Sequence, residues 1–104
     1  MKLFYDHLTE LDSVRPHLER YLPDVQHIDL VVDEIDSAIT HEVMRVILDK
    51  LPHHKHEEFI LAFKNDPRDE HHLVYLRQFE PEIETHIVRA GRSIRQRFID
   101  AVHE

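Results

Sequence analysis

Apolar residues recur with helical spacing along nearly the whole chain. Between residues 25 and 51 they follow one another three or four positions apart, so that Ile28, Ile35 and Ile39 share one face. No segment alternates with the period of two that marks a half-buried strand. The pattern predicts an all-α fold, a compact bundle of five to six helices with one long central helix over about 25–51.

Five prolines indicate where the helices begin and end. They occupy positions 16, 23, 52, 67 and 81, each at the edge of a helical apolar pattern. We therefore expect further helices over about 13–22, 53–65 and 67–80, and a last one from Pro81 onward. Asp66 before Pro67 is typical of an N-cap followed by the first helical residue. With 104 residues, the chain is predicted to be one helical domain, 1–104.

Two residues depart from the apolar faces on which they fall. Gly91 lies within the last helix, where glycine costs about 1 kcal/mol relative to alanine, so we expect another helix to approach it closely. Glu42 falls in the inward stripe of the central helix and needs an arginine, histidine or hydroxyl partner there. It could be a metal ligand or a general base, but more often such a residue forms a structural ion pair or lines a groove.

Histidine is the most over-represented residue type. The chain has eleven, five of them between His53 and His72. Imidazole and carboxylate groups bind transition metals when three or four converge, and the candidate metal ligands are His53, His56, His71, His72 and Glu42. No His-Glu-x-x-His motif is present, and most such histidines are expected to be structural or to lie at the surface. The spacing alone therefore predicts no metal site and no cofactor.

His56 and His72 differ from the other histidines by position, since each precedes an apolar stripe on its own helix. We expect both to be half-buried. Burial and neighbouring carboxylates act in opposite directions on a histidine pKa. The hypothesis is that both pack as neutral rings and become charged at mildly acidic pH, which would loosen the fold.

Charge is unevenly distributed along this acidic chain of net charge −8. The central helix carries an acidic row, Asp29, Asp33 and Asp36, and the last helix carries the arginine set Arg89, Arg92, Arg95 and Arg97. The two groups could pair within the molecule, pair across a dimer, or remain in solvent. Acidity and the lack of aromatic residues among the arginines argue against a nucleic-acid partner, and no apolar run is long enough for a membrane span.

Signatures of catalysis are missing from the sequence. There is no glycine-rich phosphate loop, no cysteine, and no nucleophile motif around any of the three serines. Short helices are also expected to leave little room for a cavity of several hundred cubic ångströms. We therefore predict a protein that is not an enzyme.

A resemblance supports the helical interpretation. The residues that carry it are Val32-Asp33-Glu34-Ile35, Thr40-His41-Glu42-Val43, and Leu51-Pro52-His53 before Glu57-Glu58-Phe59. From His27 to Glu104 the chain resembles small, histidine-rich, all-helical bacterial proteins whose function is not characterised. The resemblance implies a small cytoplasmic helical domain, and it implies no activity, cofactor or site.

Together these observations favour a protein that acts by association, with itself or with a protein partner. The partner surface would comprise the arginine set and the acidic row. The alternative is a histidine- and carboxylate-based metal-binding or pH-responsive protein. The early acid in Met1-Lys2-Leu3-Phe4-Tyr5-Asp6 is atypical of a secretory signal, which favours a cytoplasmic location.

Overall fold

The computed structural model describes residues 3–103, which form helices and no strand. Two 3-10 turns, Leu11–Val14 and His53–Lys55, join helices in this part of the chain. The helices are α1 (Asp6–Thr9), α2 (Arg15–Tyr21), α3 (Val25–Lys50), α4 (His56–Asn65), α5 (His71–Arg77) and α6 (Ile83–His103). The predicted all-α fold with a long central helix is confirmed.

The ends of α3 follow from its flanking residues. Asp24 is the N-cap, and its Oδ1 accepts a hydrogen bond from the backbone N–H of Gln26 at 2.9 Å. At the other end Leu51 is extended, as expected for a residue that precedes a proline. The helix therefore spans 26 residues, or about 39 Å at 1.5 Å per residue.

The main packing contact joins α3 and α6, and we call their shared apolar surface the seam. The two helices are antiparallel, because Arg95 of α6 reaches Ser13 while the neighbouring Arg15 pairs with Asp29 near the start of α3. The seam is built mostly from isoleucines that recur three or four positions apart and are almost completely buried. They are Ile35, Ile39, Val43 and Ile47 of α3 and Ile83, Ile87, Ala90 and Ile94 of α6.

The N-terminal segment, residues 3–22, covers one side of this helix pair. Val14 and Leu18 are fully buried, and Thr9 is buried against α6. A Cβ on Gly91 would lie 3.1 Å from the Thr9 Cα and 3.2 Å from its Cβ. The close approach expected at Gly91 is therefore confirmed, and the element that approaches is the short helix α1.

An aromatic cluster fixes the start of the N-terminal segment against α4 and α5. The Phe4 ring meets Phe59, Phe63 and His72 edge-on, at centroid distances of 6.4, 5.9 and 5.0 Å. The Phe4 backbone N–H also donates to the Pro67 carbonyl at 2.9 Å. Side-chain packing and a backbone hydrogen bond thus hold this end of the segment together.

Helix α5 begins four residues later than the sequence predicts. Pro67 precedes it in a turn, and Asp66 is not its N-cap but accepts from the Arg68 N–H at 3.3 Å. The His71 N–H instead bonds to the Asp69 carboxylate at 2.9 Å. The physical reason is tertiary: the Pro67 carbonyl accepts the Phe4 N–H, which ties this turn to the N-terminal segment, while the Asp69 carboxylate serves as the acceptor for the His71 N–H.

The molecule is elongated, with extents of 46, 23 and 19 Å. Its radius of gyration is 15.0 Å, whereas a compact domain of this length has about 13 Å. The length comes from α3, and the width is that of two helices with a partial third layer.

We expect Gly91→Val to destabilise the protein by about 1–3 kcal/mol, because the new side chain must displace the Thr9 backbone. Arg92→Val, at the exposed neighbouring position, is the control for the helix propensity of valine. Urea unfolding measures both variants. Because valine has a higher helix propensity than glycine, a Gly91→Val protein that is as stable as the parent or more stable would show that Thr9 does not need the space at Gly91.

Candidate functional site

Of three concave regions, two hold residues that the sequence singled out: Glu42 and Arg89 lie in one, and His71 and His72 in another. The first is a groove between α3 and α6, on the side that the N-terminal segment leaves open; its volume is about 330 Å³. The second is a cavity of about 230 Å³ between α4 and α5, and the third is a cleft of about 560 Å³ between the N-terminal segment and α5. Against the sequence-based expectation, this small protein therefore has a concave region of several hundred cubic ångströms.

The α3–α6 groove has an apolar floor and charged walls. Val46 and Ala90 form the floor. Side chains of both charge signs form the walls, together with one serine and one histidine: Glu42, Arg45, Asp49, Lys50, His86, Arg89 and Ser93.

Glu42 lines this groove and is half-exposed, because Val43 takes the buried place in the seam. Its carboxylate accepts two hydrogen bonds from Arg45, at 2.6 Å from Nη2 and 3.2 Å from Nε. These bonds lower the pKa of Glu42, and the charges of Arg97 and His41 act in the same direction. The structural ion pair at a groove that the sequence favours is thus present.

The arginine set does not form one surface. Arg95 is largely buried, with Nη1 3.0 Å from the Ser13 hydroxyl and 3.8 Å from the Glu10 carboxylate. Its Nε is buried without a hydrogen bond to any described residue. Arg89 lines the groove, whereas Arg92 and Arg97 are exposed. Arg95 is therefore an internal anchor for the N-terminal segment.

The acidic row is divided as well. Asp29 pairs with Arg15 of α2, and Asp33 is exposed. Asp36 is half-buried. Burial is the main cause that raises its pKa, and the nearby negative charges of Asp6 and Asp33 raise it further. Within residues 3–103 no ion pair joins the acidic row to the arginine set, so the intramolecular pairing considered from the sequence is not formed.

The candidate metal ligands do not converge. His53 and His56 have ring centroids 5.2 Å apart, but the His56 Nε2 donates to the Leu51 carbonyl at 3.1 Å. His71 is exposed, with Nδ1 2.8 Å from the Asp69 carboxylate, and Glu42 is held by Arg45. Across the described chain, no three histidine, aspartate or glutamate side chains are placed to hold a metal ion.

Among the histidines whose burial the structure describes, His72 is the one built into the core. It is only 7% exposed, and its ring packs against Phe4, Phe59 and Phe63 at 5.0 to 6.2 Å between centroids. Its Nε2 donates to the Asp66 carbonyl at 2.6 Å. This bond links α5 to the turn before it. The loosening of the fold at acidic pH stays a prediction.

Sequence periodicity missed Tyr5, which is 1% exposed. Its hydroxyl is buried and makes no hydrogen bond of ordinary geometry to a described residue. Burial raises the pKa of Tyr5 to about 12; the charges of Asp6 and Asp36 act in the same direction, and the neighbouring Thr40 hydroxyl opposes them. No pattern around position 5 indicated this, because α1 is too short to show a helical period.

The chain matches no protein-family model, no curated protein and no solved structure. The resemblance to histidine-rich helical proteins therefore stays a prediction. Within residues 3–103, the structure contains no helix that combines the length and the apolar character required to cross a membrane.

We expect Tyr5→Phe to leave stability unchanged or raise it by up to about 1 kcal/mol at pH 7, since it removes a buried hydroxyl that makes no hydrogen bond of ordinary geometry. In the parent protein, the stability contributed by neutral Tyr5 is fully present below pH 10, the ordinary pKa, and is lost as pH rises through the folded value of about 12. The variant should lack this alkaline loss. Urea unfolding from pH 8 to 12 measures it, and parallel curves for the two proteins would contradict the assignment.

We expect His72→Ala to cost at least about 2 kcal/mol, because it opens a cavity inside the aromatic cluster. His71→Ala, at the exposed neighbour, should cost less than about 1 kcal/mol. His72→Phe keeps an aromatic ring of somewhat larger size and removes the bond to Asp66, which separates ring packing from hydrogen bonding. Chemical unfolding at pH 7 measures all three variants, and similar losses at positions 71 and 72 would refute the core role of His72.

Proposed function

We propose that this protein acts by association with a second copy of itself, through the open side of the α3–α6 pair. The observation that carries the proposal is that the N-terminal segment covers one side of the pair and leaves the other as a groove lined by both charge signs. The partner is a matching pair of helices, so that the association completes a layered helical bundle.

The surface area of the chain supports a second copy. The accessible surface is 6984 Å², whereas a compact monomer of this mass exposes about 6,200 Å². The excess is close to the roughly 800 Å² that each partner contributes to a standard interface. Burying the open side would return the exposed surface per chain to that of an ordinary globular protein.

The charges on the groove suit a two-fold symmetric contact. Such an interface places the same patch on both copies, so it must be complementary to itself. Glu42 and Asp49 supply negative charge, while Arg45, Lys50 and Arg89 supply positive charge. The rest of the surface carries the acidic excess of this protein of net charge −8, and it would repel its own copy.

A contact between the arginine set and the acidic row of another copy fits less well. Asp29 lies on the covered side, where it pairs with Arg15, and Arg89 lies in the groove on the open side. Joining the two would make a head-to-tail contact, which forms a ring or filament rather than a closed dimer. The symmetric contact through the groove closes after two copies and forms neither a ring nor a filament.

The groove itself favours a modest and salt-sensitive affinity. Its apolar floor consists only of Val46 and Ala90. Its walls consist of partly solvated charges, whose pairs are each worth about 0–1 kcal/mol and are screened by salt. Two expectations from the sequence stay predictions: the absence of an enzymatic activity and the cytoplasmic location. The metal-binding alternative is less well supported, because the described residues contain no convergent set of metal ligands.

The test is a concentration series by sedimentation equilibrium at low and high salt, with a matched pair of variants. Ser93→Arg places a long cation in the groove, and Gln96→Arg places the same side chain on the exposed surface of α6, where Gln96 bonds Asp100 at 2.8 Å. We expect the parent and Gln96→Arg to dimerise with a dissociation constant of about 10–100 μM. Ser93→Arg should raise this dissociation constant, and so weaken the dimer, at least about tenfold.

Two outcomes would overturn the proposal. The first is a parent protein that stays monomeric throughout the concentration series at low salt. The second is equal weakening by the two arginine variants, which would show that a dimer forms through a surface other than the groove.

A further inference from the structure

We propose that the cleft between the N-terminal segment and α5 binds a small organic carboxylate that carries an apolar body. The cleft has a volume of about 560 Å³, within the range of small-molecule sites. It lies away from the groove on the open side of the α3–α6 pair and shares no lining residue with it. The inference is therefore independent of self-association.

The walls of the cleft are fixed by hydrogen bonds. On one wall, the Phe4 N–H donates to the Pro67 carbonyl at 2.9 Å and the Leu3 N–H donates to the Asp6 carboxylate at 2.7 Å. Next to the other wall, the His71 N–H is capped by Asp69 at 2.9 Å, which sets the start of α5, the helix that supplies Val74 and Arg77 to that wall. A site held in this way is formed before a ligand arrives, which reduces the entropy that binding must overcome.

The cleft offers both apolar and cationic contacts. Leu3, Phe4 and Leu73 form its floor. Val74, 51% exposed, adds an unprotected aliphatic surface at the rim. This combination suits a ligand with a hydrocarbon portion, which would cover Val74.

Three basic side chains surround the apolar floor. The Arg68 guanidinium makes no ion pair or hydrogen bond with any described residue, in a chain that has 21 acidic and 13 basic residues. Arg77 uses Nε and Nη2 for Glu84, which leaves Nη1 unused, and His7 is exposed. A planar guanidinium with free N–H groups matches the two oxygens of a carboxylate.

The acids nearest to Arg68 along the chain are engaged elsewhere. Asp66 accepts from the Arg68 backbone N–H at 3.3 Å rather than from its side chain. Asp69 lines the other cavity, where it bonds His71 and where those bonds lower its pKa. Of the described residues that line the cleft, Glu70 is the only acid. Glu70 in the cleft and Glu84 on Arg77 offset much of the positive charge of the two arginines, so the site accepts a monoanion and disfavours a dianion such as phosphate.

The test is a titration of the isotope-labelled protein, followed by backbone amide shifts, at constant ionic strength. The probes are hexanoate, hexylamine, hexanol and inorganic phosphate. We expect hexanoate to give saturable shifts in the amides of residues 3–7 and 68–77, with a dissociation constant of about 1–10 mM. The other three probes should bind at least about fivefold more weakly.

Arg68→Gln is the deciding variant, and Arg20→Gln is its control. Both remove one positive charge from an exposed position, and Arg20 lies on α2, outside the cleft. We expect Arg68→Gln to weaken hexanoate binding at least about fivefold and Arg20→Gln to leave it unchanged. Repeating the titration on Ser93→Arg separates this result from self-association, because the groove variant should bind hexanoate normally.

The proposal is overturned if hexanoate causes no saturable shifts in these residues. Equal binding of hexanol would show that the arginine contributes nothing, and tighter binding of hexylamine or phosphate would assign another ligand chemistry. Equal effects of the two glutamine variants would show that the overall charge of the protein, and not Arg68 itself, attracts hexanoate.

Discussion

The packing of α3 against α6 is the contact on which the other features depend. A buried isoleucine contributes about 1.5–3 kcal/mol through removal of its surface from water, and the seam contains six of them, Ile35, Ile39, Ile47, Ile83, Ile87 and Ile94. Two antiparallel helices have two sides, and the N-terminal segment is long enough to cover one. The open groove and the large exposed surface follow from that shortage of covering chain, and the elongated shape follows from the length of α3.

Sequence periodicity predicted the seam because its physical basis is local. Residues three or four apart share a helix face whatever the rest of the chain does, so the isoleucines of α3 and α6 were placed correctly, and the prolines marked the approximate ends. The start of α5 was not predictable in this way. Pro67 has the sequence of a first helical residue, but its carbonyl bonds to Phe4, more than sixty residues earlier. A hydrogen bond with a distant residue has no local signal.

The same distinction explains the candidate residues. Glu42 was recognised as anomalous because its neighbours on the helix are apolar, and its partner Arg45 lies one turn away, within reach of a local argument. His72 was singled out in the same way, because it precedes the apolar stripe of its helix, whereas the adjacent His71 does not. The structure places His72 in the core and His71 in solvent. Periodicity indicated only a half-buried ring, and the ring of Phe4, which packs against His72 at 5.0 Å between centroids, completes the burial. Local spacing thus gave the face of the helix, and only tertiary packing gave the contacts on it.

The N-terminal segment connects the features that the sequence left separate. Through Thr9 it contacts Gly91 and covers one side of the seam, and through Phe4 it forms a wall of the cleft. A ligand in that cleft would contact residues that are in place only while the segment is docked. By linkage, binding to the docked state alone stabilises that state by RT ln(1 + [L]/Kd). The segment that protects the seam is thus the element through which occupancy of the cleft would affect the stability of the whole bundle.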